Sequence, residues 1–356
     1  MPSPLRHHPI YGLPFDATIA NELEREYRQM SPARRFTSMR KVVQRELLLR
    51  LTGQSQMRVA HAPLQARRVL WIYPWTTVGD SLMDLAVRTH LPANLQFDLL
   101  IEPSLAPLYV DDPRWNKVHA RVEDCDAAYD FVLLQDLSTK SLKLKARLAR
   151  STPFATVFGH LRGECFDRMS FAQRRMEQIF GIEGTGPAAQ SLHMAARGEQ
   201  SGQQLRVAVA LGARDPRRTY RQWPQVLQAV VDRWPAGWPT ASLVLMGNQA
   251  ARQDLALFAP AFLARHCHVE IGQFDLRGVA ASITACDAFV GADGGLMHIA
   301  VALDKPGAAL FVEIDPRLRL LPSARTRSLF TPHDIDCIHP ADVAKALLAA
   351  LAQPHV

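Results

Sequence analysis

The sequence predicts an α/β protein with two Rossmann-like domains, each built on a parallel sheet. Short, continuously apolar segments alternate with helical segments in two separate stretches of the chain. That pattern is typical of parallel strands covered by helices on both faces. Residues 181–204 lie between the two stretches and are rich in Gly, Gln, Ser and Ala, which indicates a linker. The length of 356 residues suits two domains with an appendage.

Four segments are expected along the chain. A helical N-terminal extension spans residues 1–65, and the first Rossmann-like domain spans 66–185. The second Rossmann-like domain spans 205–338, and a C-terminal helix lies within 339–356. Each domain therefore has room for its own core.

Two helices are predicted in the extension. The first covers residues 16–30, and the second begins after Ser31, because Ser followed by Pro32 is typical of an N-cap and first helical residue. The second helix ends near Gly53. Apolar residues recur in it at helical spacing, which predicts a packing face. These residues are Phe36, Met39, Val43, Leu47 and Leu51.

Strands alternate with helices in both domains. The predicted strands of the first domain are residues 69–73, 97–101, 131–134 and 155–158. Those of the second domain are residues 207–211, 243–246, 268–271, 288–291 and 308–312. Ligands of such sheets bind at the carboxyl ends of the strands, so binding and catalytic residues are expected in the loops that follow the strands.

Composition narrows the class of protein. The formal net charge is +7, which favours an anionic partner such as a nucleotide, a phosphorylated lipid or an acidic glycan. No basic motif with interleaved aromatic residues is present, so a nucleic-acid partner is not expected. No apolar run approaches the roughly 18 residues of a membrane-spanning helix, and the N-terminus lacks a signal-peptide pattern.

Cysteine and histidine usage points to a reduced, metal-free protein. The five cysteines are scattered and form no C-x-x-C pair, which fits the cytoplasm. Residues 266–268 read His-Cys-His, but adjacent side chains rarely converge on one ion, so no metal is expected. Two D-x-D triplets, residues 124–126 and 334–336, are interpreted as accidental.

The most informative segment is residues 290–303, which reads as a strand end, a glycine turn and a helix. Gly294 and Gly295 allow the backbone to pass close to a ligand, and His298 lies on the first helical turn. Asp293 is predicted to cap this helix, alone or while also meeting the ligand. Because a helix N-terminus presents unpaired N–H groups, the segment predicts a phosphorylated ligand. A purely structural role for His298 is the alternative.

A second loop, residues 74–80, follows the first strand of the first domain. Asp80 opens the next helix and is interpreted either as its N-cap or as a general base. A general base takes the proton of a hydroxyl as that hydroxyl attacks an electrophile. Asp84, one helical turn further on, is the weaker candidate.

A third loop, residues 212–223, follows the first strand of the second domain and carries Arg214, Arg217, Arg218 and Arg221. Guanidinium groups bind phosphate bidentately, so one or two of them are expected to clamp a pyrophosphate. The alternative is an exposed basic loop. A separate basic cluster, residues 138–150, predicts a surface that attracts an anionic acceptor or, more simply, a solvated helix face.

Other enzyme classes lack their motifs. No G-x-G-x-x-G follows residues 69–73, which disfavours a dinucleotide-binding domain. The sequence also contains no G-x-x-x-x-G-K-[ST] of a P-loop kinase and no G-x-S-x-G of a hydrolase.

Taken together, the three loops resemble glycosyltransferase family 9, the bacterial lipopolysaccharide heptosyltransferases. Gly79-Asp80 is similar to the family's Gly-Asp after the first strand, and residues 221–223 are similar to its basic-x-Trp segment. Residues 293–300 resemble its Asp-Thr/Ser-Gly-x-x-His-x-Ala signature. The resemblance covers about residues 67–352.

The resemblance implies a GT-B fold, in which two Rossmann-like domains face an interdomain cleft and the C-terminal helix returns to the first domain. It implies an inverting, metal-independent glycosyltransferase without a cofactor. Such an enzyme moves a sugar, typically heptose from ADP-heptose, to an anionic envelope glycan such as the lipopolysaccharide core. The expected location is the cytoplasm, with the inner-membrane surface as a further partner.

The resemblance also assigns residues. Asp80 becomes the catalytic base, and Thr77, Lys140 and Lys143 are expected to contact the acceptor. The residues expected to bind the donor are Arg218, Arg221, Asp293, Gly294, Gly295 and His298.

Two departures from the family pattern leave the donor open. Gly294 stands where the family has Thr or Ser, and residues 312–316 replace a Gly-Pro-Thr-Asp-Pro-like segment. Three alternatives therefore remain. They are a related enzyme with another nucleotide-sugar or a protein acceptor, a non-catalytic nucleotide- or glycan-binding relative, and a nucleotide-sugar epimerase.

Overall fold

The computed structural model describes part of the chain, in two compact units. The described residues are 6–7, 14–15, 28–125, 128–160, 167–184, 186–194, 204–212 and 215–353. Unit 1 comprises residues 1–76 and 86–188, and unit 2 comprises residues 77–85 and 189–356. Most of the helix predicted for residues 16–30 lies outside the described residues, as do Asp126 and Arg214. The four segment boundaries stay predictions.

The strands, in chain order, are β1 (Arg6–His7), β2 (Pro14–Phe15), β3 (Arg68–Tyr73), β4 (Gln96–Ile101), β5 (Lys117–His119), β6 (Phe131–Leu134), β7 (Phe154–Thr156), β8 (Gln204–Ala210), β9 (Thr240–Met246), β10 (Cys267–Val269), β11 (Ala288–Ala292), β12 (Gly307–Val312) and β13 (Thr326–Thr331). The α-helices are α1 (Pro32–Leu51), α2 (Val78–Asp84), α3 (Thr139–Leu148), α4 (Arg168–Phe180), α5 (Trp223–Asp232), α6 (Pro260–His266), α7 (Leu276–Thr284), α8 (Gly295–Ala302) and α9 (Pro340–Leu351).

Unit 1 contains a five-stranded parallel sheet in the order β5-β4-β3-β6-β7. Its central strand, β3, is apolar and buried from Val69 to Tyr73, because it has neighbouring strands on both edges. Trp71 of β3 pairs in register with Leu99 and Leu133. A separate antiparallel ladder joins the two-residue strands β1 and β2.

Helix α1 is attached to unit 1 along one face. Ser31 caps it, since its Oγ accepts a hydrogen bond from the Arg34 N–H at 3.3 Å, as predicted. The buried residues of the helix are Ser38, Val42 and Leu49, and Leu49 joins the core around β3 and β6. After the helix, the side-chain carbonyl of Gln54 accepts a hydrogen bond from the buried Lys145 of α3. These contacts hold one side of α1 in place.

The packing face predicted for α1 is wrong. Its five residues, Phe36, Met39, Val43, Leu47 and Leu51, are 38–74% exposed. The helix instead packs through the side that carries Val42 and Leu49. A helical period locates a stripe, but it does not show which stripe meets the core when a helix carries apolar residues on two sides.

Unit 2 contains a six-stranded parallel sheet in the order β10-β9-β8-β11-β12-β13. Numbered within the unit, this order is 3-2-1-4-5-6, that of a doubly wound nucleotide-binding fold. The order reverses between β8 and β11, which pair through Val209 and Val290. Ligands of such sheets bind outside the carboxyl ends of the two strands at this switch point. The predicted α/β class with two parallel sheets is confirmed.

The C-terminal helix, α9, packs inside unit 2. Val343, Ala344 and Leu347 are fully buried in the core that also contains Val226 and Val230 of α5. The return to the first domain that the family resemblance implied stays a prediction. Among the described helices, none combines the length and the apolar character needed to cross a membrane.

Candidate functional site

Asp293 lies at the switch point of the unit 2 sheet, directly after β11. Its backbone N–H donates to the carbonyl of Leu310 at 2.8 Å, which continues the pairing of β11 with β12 by one residue. Its side chain is buried, at 4% relative exposure. A buried carboxylate needs charged or hydrogen-bonding partners, and this one has several.

An arginine and a histidine side chain lie against the Asp293 carboxylate. Nη1 of Arg218 lies 3.1 Å from Oδ2 and also donates to the Asp293 backbone carbonyl at 3.4 Å. Nε2 of His298 lies 3.5 Å from Oδ1. Burial alone would raise the pKa of Asp293, but His298, Arg218 and Arg319 outweigh burial and lower it. The carboxylate is therefore ionised at neutral pH and pairs with the Arg218 guanidinium.

The His298 ring is oriented from both sides. Its Nδ1 lies 2.8 Å from Oε1 of the buried Gln190. The amide nitrogen of Gln190 donates to the carbonyl of Arg319 at 3.0 Å, which fixes the amide with its oxygen towards the imidazole. Nδ1 is consequently the protonated nitrogen that donates a hydrogen bond to the Gln190 oxygen, while Nε2 faces Asp293.

Two glycines allow helix α2 to approach helix α8 closely. A Cβ atom on Gly79 would lie 2.4 Å from Cδ2 of His298, closer than real Cβ contacts occur. A Cβ atom on Gly295 would lie 3.2 Å from Cβ of Val78. The first turns of the two helices are thus in contact. This contact brings Asp80, the residue after Gly79, next to the helix that carries His298.

The structure corrects the local role of Asp80. Helix α2 begins at Val78 with Thr77 as its N-cap, so Asp80 is the third helical residue and the N-cap interpretation is wrong. Asp80 is half-buried, whereas Asp84 at the end of the helix is fully buried. Thr77 is exposed, and its side chain makes no capping hydrogen bond. The general-base interpretation of Asp80 stays a prediction.

Asp293 does not cap α8, contrary to the prediction. The N-cap is Gly294, which has no side chain to cap with, and the Asp293 carboxylate is turned towards Arg218 and His298 instead. The backbone of Gly294 is extended, with a φ of 176°. A Cβ atom there would have only the Ala292 carbonyl nearby, at 3.8 Å. The site therefore has room for the Ser or Thr that the family pattern carries.

The arginines of the loop before α5 separate into different roles. Of the three arginines of this loop that the structure describes, Arg218 is the one paired with Asp293. Arg221 is exposed, and its side chain lies 3.3 Å from Asp336, which also accepts a hydrogen bond from the Arg221 backbone N–H at 2.8 Å. Arg217 pairs with Asp215 at 2.7 Å and with Glu313 at 2.6 Å. Asp336 belongs to the D-x-D triplet 334–336, which therefore has a structural function.

The lysines predicted to contact an acceptor lie in unit 1. Lys140 donates to Glu102 and, at 3.1 Å, to the carbonyl of Pro74 after β3. Lys143 is exposed. Lys145 is fully buried, so the basic segment 138–150 is not a continuous surface. The acceptor roles of Thr77, Lys140 and Lys143 stay predictions.

Sequence reasoning missed Gln190 and Arg319. Gln190 lies in the stretch interpreted as a linker, and no local pattern singles it out. Arg319 follows β12 and is buried. Its place after a strand was a usable signal, because basic residues at the carboxyl ends of parallel strands are candidates for anion binding.

The site suits a diphosphate. Arg218 and Arg319 supply two guanidinium charges against the single carboxylate of Asp293, and His298 adds a further polar ring. The first turn of α8 presents its backbone N–H groups at the same place. Within the described residues, no three His, Cys, Asp or Glu side chains form a group able to hold a metal ion. Metal independence stays a prediction.

A family model matches the segment of the chain that contains this site. Residues 189–331 match the family model described as glycosyltransferase family 9 (heptosyltransferase). This segment contains Gln190, Arg218, Asp293, His298 and Arg319. No protein with a curated description matches the chain significantly in sequence.

Solved structures match the fold. A glycosyl transferase family 9 protein from Veillonella parvula is 15% identical with a TM-score of 0.67, and the match covers 82% of this chain and 99% of that one. The ADP-heptose lipopolysaccharide heptosyltransferase II of E. coli is 20% identical with a TM-score of 0.62, covering 80% and 98%. The E. coli heptosyltransferase WaaC with ADP is 16% identical with a TM-score of 0.61, covering 78% and 98%. The predicted GT-B fold is confirmed.

Proposed function

The chain carries a glycosyltransferase family 9 domain over residues 189–331, and on this premise we propose which sugar it transfers and how. Glycosyl transfer is the activity of the enzyme. The donor is a nucleotide diphosphate sugar, ADP-heptose first of all, and the acceptor is an anionic envelope glycan such as the lipopolysaccharide core. One observation carries the proposal: Arg218, Arg319 and His298 surround Asp293 at the switch point of the unit 2 sheet.

The donor's diphosphate is the leaving group. When the bond between the anomeric carbon and the phosphate oxygen breaks, its electron pair stays on the diphosphate and negative charge develops there. The Arg218 guanidinium and the N–H groups at the start of α8 are fixed cationic and dipolar groups that stabilise this charge. In this mechanism the chain's own cations take the place of a metal ion.

Asp80 is the proposed base. It takes the proton of the acceptor hydroxyl as the hydroxyl oxygen forms its bond to the anomeric carbon. Attack on the face opposite the leaving diphosphate inverts the anomeric centre. The contact of Gly79 with the His298 ring supports this assignment, because it fixes the first turn of α2 against the helix that binds the donor.

The solved relatives support an ADP-linked donor. WaaC has been solved with ADP and with ADP-2-deoxy-2-fluoro heptose, which makes an ADP-linked heptose the first candidate here. Gly294 lacks the hydroxyl of the family's Ser or Thr, so the donor site of this chain lacks a hydroxyl group that the family pattern provides. The identity of the sugar therefore has to be tested against other nucleotide-sugars.

The enzyme is proposed to work in the cytoplasm on an acceptor at the inner membrane. The described cysteines, Cys125, Cys267, Cys286 and Cys337, are free thiols, which supports a reducing compartment.

A panel of nucleotide-sugars tests the proposal. A ligand that binds the native state raises the melting temperature by mass action. We expect ADP-heptose to stabilise the protein more than ADP-glucose, UDP-glucose or GDP-mannose, and we expect ADP release only when deacylated lipopolysaccharide core is added. Stabilisation by a donor without nucleotide release on any acceptor would instead identify a non-catalytic binding protein. ADP release that needs no acceptor would identify a hydrolase or epimerase.

A further inference from the structure

Helix α1 exposes an apolar face. Phe36, Val43 and Leu47 are 73%, 61% and 53% exposed, and Met39 and Leu51 extend the same stripe. Half of the large apolar side chains that are strongly exposed in the described residues lie on this one helix. Contiguous exposed apolar surface of this kind marks a place of interaction, because it is costly to leave in water.

Helix α1 cannot rotate about its axis to bury this face. Its opposite side is fixed in unit 1 through Val42 and Leu49. The Gln54 side chain, just after the helix, is held by Lys145 and donates to the Arg150 carbonyl at 3.0 Å. These contacts leave the apolar face of α1 exposed to solvent.

Positive charge accompanies the apolar face. Arg40 lies one turn from Phe36, and Arg50 lies three residues after Leu47, and both are exposed. Lys41 and Arg34 are exposed at its border. The helix has a single acidic residue, Glu46, whose carboxylate is already paired with Arg58 at 3.3 Å and with His160 at 2.7 Å. The exposed side of α1 is therefore cationic as well as apolar.

We propose that the exposed face of α1 docks on a bilayer that contains anionic phospholipid. A helix lying in a membrane interface buries apolar side chains at the boundary of the acyl chains and places Lys and Arg among anionic head groups. The inference rests on the proposed function only in that a lipid-linked acceptor is presented at such a surface. The site in unit 2 and the docking face of α1 are made of different residues.

Charge favours a membrane over a second copy of the chain. Two copies that paired their α1 faces would bring Arg40 and Arg50 of each copy together, and no free carboxylate of α1 would offset the repulsion. Anionic head groups neutralise the same arginines.

Vesicle co-sedimentation of the full-length protein tests the inference. We expect binding to vesicles of phosphatidylcholine mixed with phosphatidylglycerol, and weak or no binding to phosphatidylcholine alone. A combined Phe36→Ser, Val43→Ser and Leu47→Ser variant should bind at least ~10-fold more weakly, since it loses most of the apolar area. A combined Arg40→Gln and Arg50→Gln variant should lose about fivefold in affinity for anionic vesicles per charge removed. Added salt should also weaken the binding.

A matched control removes three exposed apolar side chains elsewhere. The combined Leu64→Ser, Leu257→Ser and Phe274→Ser variant should bind anionic vesicles as the wild type does. Failure of the wild type to bind, or equal binding by the α1 serine variant and the wild type, would overturn the inference. So would a dimer in analytical ultracentrifugation that the α1 serine variant abolishes, because the occupant would then be a second copy.

Activity on a soluble acceptor separates this inference from the proposed function. With deacylated lipopolysaccharide core, the α1 serine variant should release ADP at the wild-type rate, because α1 lies outside the donor site. Vesicle binding without any transfer would leave the docking face standing and count against the proposed enzyme function alone.

Discussion

The backbone of Gly79 lies directly against the imidazole of His298. A Cβ atom at position 79 would come within 2.4 Å of Cδ2 and 3.1 Å of Nε2 of that ring. The Nε2 atom is the one that faces Asp293. The position of α2, and with it of Asp80, is therefore tied to the orientation of a side chain in the donor site.

Gly79→Ala tests this contact. The added methyl group must displace the His298 ring or the start of α2, and overpacking of this kind costs about 1–3 kcal/mol. We expect a lower melting temperature and a weaker affinity for ADP by calorimetry. The comparison variant, Gly294→Ala, should unfold close to the wild-type temperature, because its Cβ atom meets nothing closer than 3.8 Å. Equal melting temperatures for the two variants would show that the contact is not tight.

Asp80→Asn tests the proposed base. The substitution keeps the shape of the side chain but removes its ability to take a proton, so we expect turnover to fall by roughly 10²-fold or more. The affinity for the nucleotide-sugar, measured by calorimetry, should stay within about twofold, since the donor site consists of other side chains. Near-normal turnover in this variant would reject Asp80 as the base.

Substitution of Arg218 and of Arg221 tests which of the two arginines binds the diphosphate. Arg218 lies at the buried Asp293, while Arg221 is exposed and held by Asp336. Loss of a charge-assisted hydrogen bond to a diphosphate costs about 1.5–3 kcal/mol, so Arg218→Gln should weaken ADP binding by about 10- to 100-fold. Arg221→Gln should weaken it by less than about threefold. The reverse ranking would place the diphosphate at Arg221, as the family resemblance implied.

The sequence predicts the central strands of both sheets. The strands β3, β8 and β11 have neighbouring strands on both edges. Their sequences are accordingly short apolar runs, which is the pattern that predicts a buried parallel strand. The strand β13 was missed because it lies at the edge of its sheet and has exposed residues in its middle. The strand β5 was missed because three residues are too few for a pattern.

Local sequence also locates the loops of the site but not the network within it. The predicted capping roles of Asp80 and Asp293 failed because each helix begins at a different residue from the one the pattern suggested. The link from His298 to Gln190 joins residues that are far apart in the chain, and such a contact leaves no local pattern. The exposed face of α1 was mistaken for a packing face because the true packing face, with Val42 and Leu49, is narrower.

Lys145, which binds Gln54 in the turn that follows α1, predicts a pH-dependent stability. Burial lowers the pKa of Lys145 to about 8, from an ordinary value of 10.5. Between these values the unfolded chain binds a proton that the folded chain has released, so the free energy of unfolding should rise with pH there. Below pH 8 both states are protonated and the contribution of Lys145 to the free energy of unfolding is constant.

The variant Lys145→Met, which cannot titrate, is the comparison. In urea unfolding, the wild type should gain about 2 kcal/mol of stability relative to this variant between roughly pH 8 and pH 10. A difference that stayed flat across this window would mean that the buried ammonium keeps its ordinary pKa, and that its bonds to Gln54 and to the Arg150 carbonyl replace the lost solvation in full.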